Sequence, residues 1–251
     1  METGLNALEL RQERTKAKYV HLDSKDTNTV FAIMFRTPPS DSTGVPRILE
    51  HTVLCGSQRF RVRDPFFTMI KRSLNTYMNA LTAADHTMYP FSTMNTKDWH
   101  NRRSVYLDAV FVPNLHKLDF LQEGHRLEIS EVDSGQGKLV YKGVVLNEMK
   151  GVLCDSNNLF GTRLQQELMR GTSYAQVSGE DPRHIPSLTY EEFCAFHKEK
   201  YHPSTCCFYS YGDMPLTDHL AYLSHEVLDK FDIVLHQRRF MCKRMNLTCG
   251  R

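Results

Sequence analysis

The sequence predicts an α+β fold in which a largely antiparallel sheet carries several helices. Runs rich in β-branched and aromatic residues come in pairs separated by short polar turns, at 18–22 with 29–36 and again within 78–92. Segments of helical periodicity lie between them, without the strict strand–helix alternation that calls for a parallel sheet. No internal repeat or low-complexity tract is present.

Taken in order, residues 18–22 and 29–36 (TVFAIMFR) read as a hairpin, with Asp23-Ser24-Lys25-Asp26 as its turn. A polar loop over 37–44 leads to Pro46, which suits a first helical turn, so a helix is expected over 44–56. Phe66, Phe67, Ile70 and Leu74 recur at helical spacing and predict a second helix over 64–75. The β-formers of 78–92 surround Ala83-Ala84-Asp85 and predict a second hairpin. Trp99, Val105, Tyr106 and Ala109 predict a helix over 95–111, followed by a shorter one over 115–123 and a strand over 125–129.

Beyond a turn at 135–137, residues 144–169 form the longest helical candidate, with a break expected near Asp155-Ser156-Asn157-Asn158. Residues 179–182 read as loop. Thr189-Tyr190-Glu191-Glu192 is a capping box that opens a helix ending near Tyr201. Residues 206–211 are rich in β-formers. A last helix over 216–231 carries Leu220, Leu223, Val227 and Leu228 on one stripe, with His219 and His225 expected to be partly exposed. The chain thus divides into a lead-in (1–17), one domain (18–231) and a basic, irregular tail (232–251).

The 251 residues suffice for a sizeable core. With 41% hydrophobic and 24% charged residues and a formal net charge of +2, the composition argues against a dedicated nucleic-acid or membrane-surface role. No run of eighteen apolar residues exists, so a spanning helix is not expected. The seven cysteines are odd in number, scattered and without a C-x-x-C pair, which reads as a reduced intracellular protein. The N-terminus resembles neither a secretory signal nor an Arg-rich transit peptide. There is no phosphate-binding Gly-rich loop and no G-x-S-x-G elbow, and no cysteine has an obvious neighbouring base.

The chemically informative stretch is GVPRILEHTVLCG (44–56). On a helix of about 3.6 residues per turn, Arg47, Glu50 and His51 share one face, because i, i+3 and i+4 stack over one another. H-x-x-E-H on a helix binds zinc through its two histidines and uses the glutamate as general base. Here arginine stands first. Taken alone, a Glu-His pair is more often the mark of an ordinary helix surface, because such pairs are frequent and only complete ligand spacing is informative. Ile48, Leu49, Val53 and Leu54 give this helix an apolar side, and buried charged residues require partners or a metal. Glu148, on a helix lined by Val144, Val145, Val152 and Leu153, is either a third acidic ligand or a surface glutamate paired with Lys150 or Arg163.

Six blocks carry a resemblance: GVPRILEHTVLCGS, RDPFF (63–67), SLNTYMNALTAADHTMYPFS (73–92), LDFLQEGHRLE (118–128), YKGVVLNEMKG (141–151) and VSGEDPRHIPSLTYEEF (177–193). In this order they closely resemble the N-terminal domain of the pitrilysin/insulinase zinc metallopeptidases, over about 18–231. The resemblance implies a mitochondrial (matrix) protein acting on targeting peptides and other short unstructured peptides, while the lack of a visible transit peptide leaves a cytoplasmic location as the alternative. It implies Glu50 as the base, His51 and Glu148 as zinc ligands, and Asn79, Ala80, Leu81 and Thr82 as an edge strand that receives an extended peptide. Family members have four similar domains, so this chain matches one, and partners are expected to be the remaining C-terminal domains or a second copy.

Two departures shape the expectation. The family has histidine where this chain has Arg47, and a guanidinium has no lone pair to offer a metal. The C-terminal half, which supplies further substrate-binding residues, is absent from the match. An inactive or impaired peptidase domain is therefore expected, with Arg47 standing in for zinc by pairing with Glu50 or Glu148. The alternatives are a non-catalytic peptide-binding or structural homologue, and a truncated gene-fragment product.

Overall fold

The computed structural model describes residues 5–130, 137–176 and 181–231, together with the backbone of 243–245. Its strands are β1 (Asn6–Arg11), β2 (Lys18–Asp23), β3 (Thr29–Arg36), β4 (Asn75–Met78), β5 (Leu81–Thr82), β6 (His86–Thr93), β7 (Arg126–Ser130), β8 (Lys138–Lys142), β9 (Cys206–Gly212) and β10 (Lys243–Met245). Its α-helices are α1 (Val45–Val53), α2 (Pro65–Arg72), α3 (Thr96–Phe111), α4 (Lys117–Glu123), α5 (Val144–Leu153), α6 (Ser156–Leu168), α7 (Tyr190–Lys200) and α8 (Leu216–Glu226). The α+β architecture with a mostly antiparallel sheet is as the sequence predicts.

One eight-stranded sheet runs in the order β10-β1-β2-β9-β3-β6-β4, with β5 also paired to β6, while β7 and β8 form a separate ribbon. All pairings are antiparallel except β2 with β9. The period-two pattern shows which face is covered. On β3, Phe31, Ile33 and Phe35 are fully buried while Val30 and Met34 are half-buried; on β9, Cys206, Phe208 and Ser210 alternate with half-buried neighbours. The buried face meets the helices through aromatic contacts, with Trp99 on α3 edge-on to Phe31 at 5.7 Å between ring centres and Tyr201 stacked on Phe35 at 4.4 Å. Each such fully buried side chain contributes roughly 1.5–3 kcal/mol.

Several expectations need correction. The two strands expected to form the first hairpin are not partners, because β9 lies between them, parallel to β2 and antiparallel to β3. The loop at the predicted turn bridges the end of β9: Ser24 N–H donates to Gly212 O at 3.2 Å, and Asp213 N–H to Asp26 O at 3.2 Å. Turn residues reverse the chain but do not select the neighbouring strand. The hairpin partner of β2 is β1, a strand inside the expected lead-in. His219 is buried at 1% exposure rather than partly exposed, since it faces Trp99 across the α3–α8 contact, whereas His225 is exposed. β8 is a strand the sequence reading missed. The expected turn at 135–137, the loop at 179–182 and the tail 232–251 lie largely outside the described residues; within the tail, Lys243–Met245 pairs with β1.

Local capping follows the sequence closely. Thr189 and Glu192 form the reciprocal capping box that starts α7. The 144–169 helix is broken as expected, Asp155 accepting from the N–H groups of Asn157 and Asn158 to open α6.

Candidate active site

Gly44 takes the left-handed conformation (φ 74°) at the N-cap of α1, and Pro46 occupies its first turn. Ile48, Leu49 and Val53 are fully buried and drive the helix into the core. This presents Arg47, Glu50 and His51 to three different elements: α5, β5 and α4.

Arg47 forks onto Glu148 of α5, with Nε donating to Oε2 at 3.3 Å and Nη2 donating to Oε1. Glu148 therefore pairs with neither of the neighbours that the surface reading offered. Lys150 donates to Tyr141 O at 3.4 Å, and Arg163 to Gln166 Oε1 at 2.9 Å. Glu50, 7% exposed, accepts from the Thr82 hydroxyl at 2.6 Å. His51 Nδ1 lies 3.2 Å from Glu123 Oε2 on α4, and its Nε2 lies 3.9 Å from Glu148 Oε2. Burial pushes the His51 imidazole down, but its hydrogen bond to Glu123 and the charges of Glu50 and Glu123 outweigh it, so its pKa is raised. Burial likewise works to raise the Glu123 carboxyl, and the His51 and Gln122 contacts reverse this to a lowered pKa.

The relative placement of α4 and α5 depends on two glycines. A Cβ on Gly143, the residue before α5, would sit 1.9 Å from the Gly124 carbonyl oxygen, so the two backbones touch there. Gly124 in turn faces α1, where its Cβ would meet Ile48 Cγ2 at 3.3 Å. The close approach brings Glu148 and Glu123 to the same side of α1.

At the sheet edge, Asn79 N–H donates to Pro90 O at 3.1 Å and Ala83 N–H to His86 O at 2.8 Å. With Thr82 opposite Thr87, antiparallel alternation turns the Thr82 N–H and C=O away from β6, toward the open edge. The Thr82 side chain holds Glu50 while its backbone faces outward.

The sequence-derived residues Arg47, Glu50, His51, Glu148 and Thr82 thus converge, and Asn79, Ala80 and Leu81 lie beside them on the edge. Glu123 was missed: it sits within a quoted block, but nothing in its spacing ties it to the α1 helix. Cys55, next to the site, is no nucleophile at neutral pH, because burial and the charges of Glu123, Asp119 and Asp64 push its thiol far up.

The α+β fold and this helix–helix–edge-strand arrangement are similar to those of pitrilysin/insulinase peptidase domains. Among solved structures it is similar to a protease from Helicobacter pylori (TM-score 0.73, 15% identity, 92% of this chain and 52% of that one). It is also similar to the periplasmic protease PqqL from Escherichia coli (TM-score 0.68, 16% identity, 94% and 25%). Its sequence is similar to the mitochondrial presequence protease, over a partial N-terminal region of it. It is 54% identical over 228 residues to that of Danio rerio (91% of this chain, 22% of the relative) and 52% identical over 256 residues to that of Xenopus tropicalis (99% and 25%). The chain therefore spans about a quarter of the length of these relatives. No protein-family model matches it.

The family is one of metallopeptidases, but the residues here do not fit the metal. The Arg47 guanidinium, which has no lone pair to give, stands where the resemblance expects the first ligand and is bonded to Glu148, the expected third. Among the described residues no group of three or more His, Cys, Asp or Glu side chains is arranged to hold an ion.

Proposed function

We propose that the chain is the N-terminal, metal-helix domain of a presequence-protease-like metalloendopeptidase, acting on targeting peptides and other short unstructured peptides in mitochondria, with hydrolysis disabled at Arg47. The Arg47–Glu148 ion pair carries this reading. Zinc hydrolysis takes three protein ligands and an open position for water. Arg47 supplies a fixed positive charge instead of a lone pair and engages Glu148, leaving His51 as the one helix ligand and Glu50 as a base without an activated water.

What remains usable is the edge at Asn79, Ala80, Leu81 and Thr82, whose outward backbone groups suit strand addition by an extended peptide. A non-catalytic peptide-binding role is the second reading, and that edge favours it. Phe67, Leu74, Leu118, Ile129, Phe160 and Leu168 are exposed at 60–78%. They suit burial against further domains of such a protein, or against a second copy, so sedimentation of the isolated chain should show association.

The test is elemental analysis with a peptide-cleavage assay, with and without zinc and chelator. The purified chain should hold no stoichiometric zinc and cleave nothing, while Arg47→His should gain about one zinc per chain. Tightly held zinc or chelator-sensitive cleavage in the unaltered chain would overturn the reading.

A further inference from the structure

Away from the candidate site, the α3–α8 contact buries a cation that, among the described residues, has no carboxylate paired with it. Arg103 is 2% exposed, and its guanidinium lies 4.5 Å from the Trp99 ring centre and 3.7 Å from that of Tyr222. Nη2 donates to His100 Nδ1 at 3.2 Å, but among the described residues Nε and Nη1 have no acceptor. Asp218, the carboxylate whose charge Arg103 feels, is exposed on α8 and forms no ion pair with it. A buried guanidinium left without a counter-charge is expensive.

The unmet donors gather around one ring. Trp99 is fully buried and its Nε1 has no partner among the described residues. His219, 1% exposed, stands edge-on to Trp99 at 4.7 Å between ring centres, and apart from a weak contact with the Met214 backbone its ring nitrogens have no partner among the described residues. The neighbouring polar groups satisfy one another instead: the Tyr19 hydroxyl donates to Ser210 Oγ at 2.8 Å, and His21 Nδ1 lies 2.7 Å from the same oxygen. What is left, the weak Met214 contact aside, is three guanidinium N–H groups (one on Nε and two on Nη1), an indole N–H and one imidazole N–H, against a single imidazole acceptor. A water molecule has two protons of its own to place and would find one acceptor, and it would leave the charge uncompensated. An anion accepts from all of these donors and supplies the missing charge.

We propose that a chloride-sized inorganic anion binds between α3 and α8, held by Arg103 Nε and Nη1, Trp99 Nε1 and the His219 N–H. The full chain tests this by thermal unfolding across a chloride titration at constant ionic strength, with gluconate as the balancing anion too large for the site. The melting temperature should rise saturably by roughly 2–4 °C. Trp99→Phe, which keeps the ring and loses the N–H, should need a several-fold higher chloride concentration, and Arg103→Met should lose the dependence. Crystals soaked in bromide should show an anomalous peak beside Arg103, which decides the matter even where Arg103→Met does not fold. A flat titration, a dependence unchanged in both variants, or a water at that position in place of bromide would overturn the proposal.

Discussion

Arg47 and Glu148, separated by 101 residues in the chain, form a two-pronged ion pair that ties α1 to α5. Their side chains are 26% and 38% exposed, so solvent screens the pair and its contribution is that of a surface bridge, about 0.2–1 kcal/mol. Arg47→Met should therefore leave the fold intact, with a loss of stability in that range measured by denaturant unfolding. A collapse of the domain in that variant would mean that the guanidinium, rather than the packing of Ile48, Leu49 and Val53, holds α1 in place.

Glu123→Gln addresses the other contact of the motif. The raised His51 pKa adds stability in full below the unfolded value near 6.5, and loses it as pH rises through the folded pKa. The lowered Glu123 pKa adds stability above its unfolded value and loses it as pH falls through the folded one. The pair is therefore most stabilising between about pH 4.5 and 6.5. The substitution should cost on the order of 1 kcal/mol in that window and less at pH 8, and the His51 titration followed by NMR should move down.

His219→Phe should change the acid response. Burial first, then the charges of Arg103, His21 and His100, lower the His219 pKa to about 3, while the Met214 backbone opposes this weakly. The native imidazole stays neutral where the unfolded one protonates, so the stability it contributes is present above pH 6.5 and declines as pH falls toward 3. The slope is up to about 1.4 kcal/mol per pH unit for one group. Unfolding free energies between pH 7 and 5 should fall less steeply in the variant; equal slopes would show that His219 is solvated.

Gly143→Ala tests the approach that places Glu148. Its new methyl would lie 1.9 Å from the Gly124 carbonyl, a contact with backbone that no side-chain rotation relieves. A loss of about 3 kcal/mol or more is expected from denaturant unfolding. A loss below 1 kcal/mol would show that α5 can shift freely, and with it the Arg47–Glu148 pair.

Much of the fold is legible in the sequence because helical and strand periodicities, caps and turn residues act over a few positions. The capping box at Thr189, the break at Asp155 and the helix face bearing Arg47, Glu50 and His51 are local facts, and the structure carries them as read. Strand order is not local. The alternation of β2 and β3 states which side chains face the core, and is equally compatible with direct pairing or with β9 between them.

The sequence by itself determined that the helix at 44–56 resembles that of a zinc peptidase and that arginine, which has no lone pair to give a metal, stands where that resemblance expects a ligand. Only the tertiary structure decided what that arginine does. It bonds Glu148 and leaves Glu50 to Thr82 and His51 to Glu123. The reason is physical: periodicity assigns a side chain to a face, whereas its partner depends on which backbone packs against that face. Here that is set by the contact between Gly124 and Gly143, which neither residue announces in its own neighbourhood.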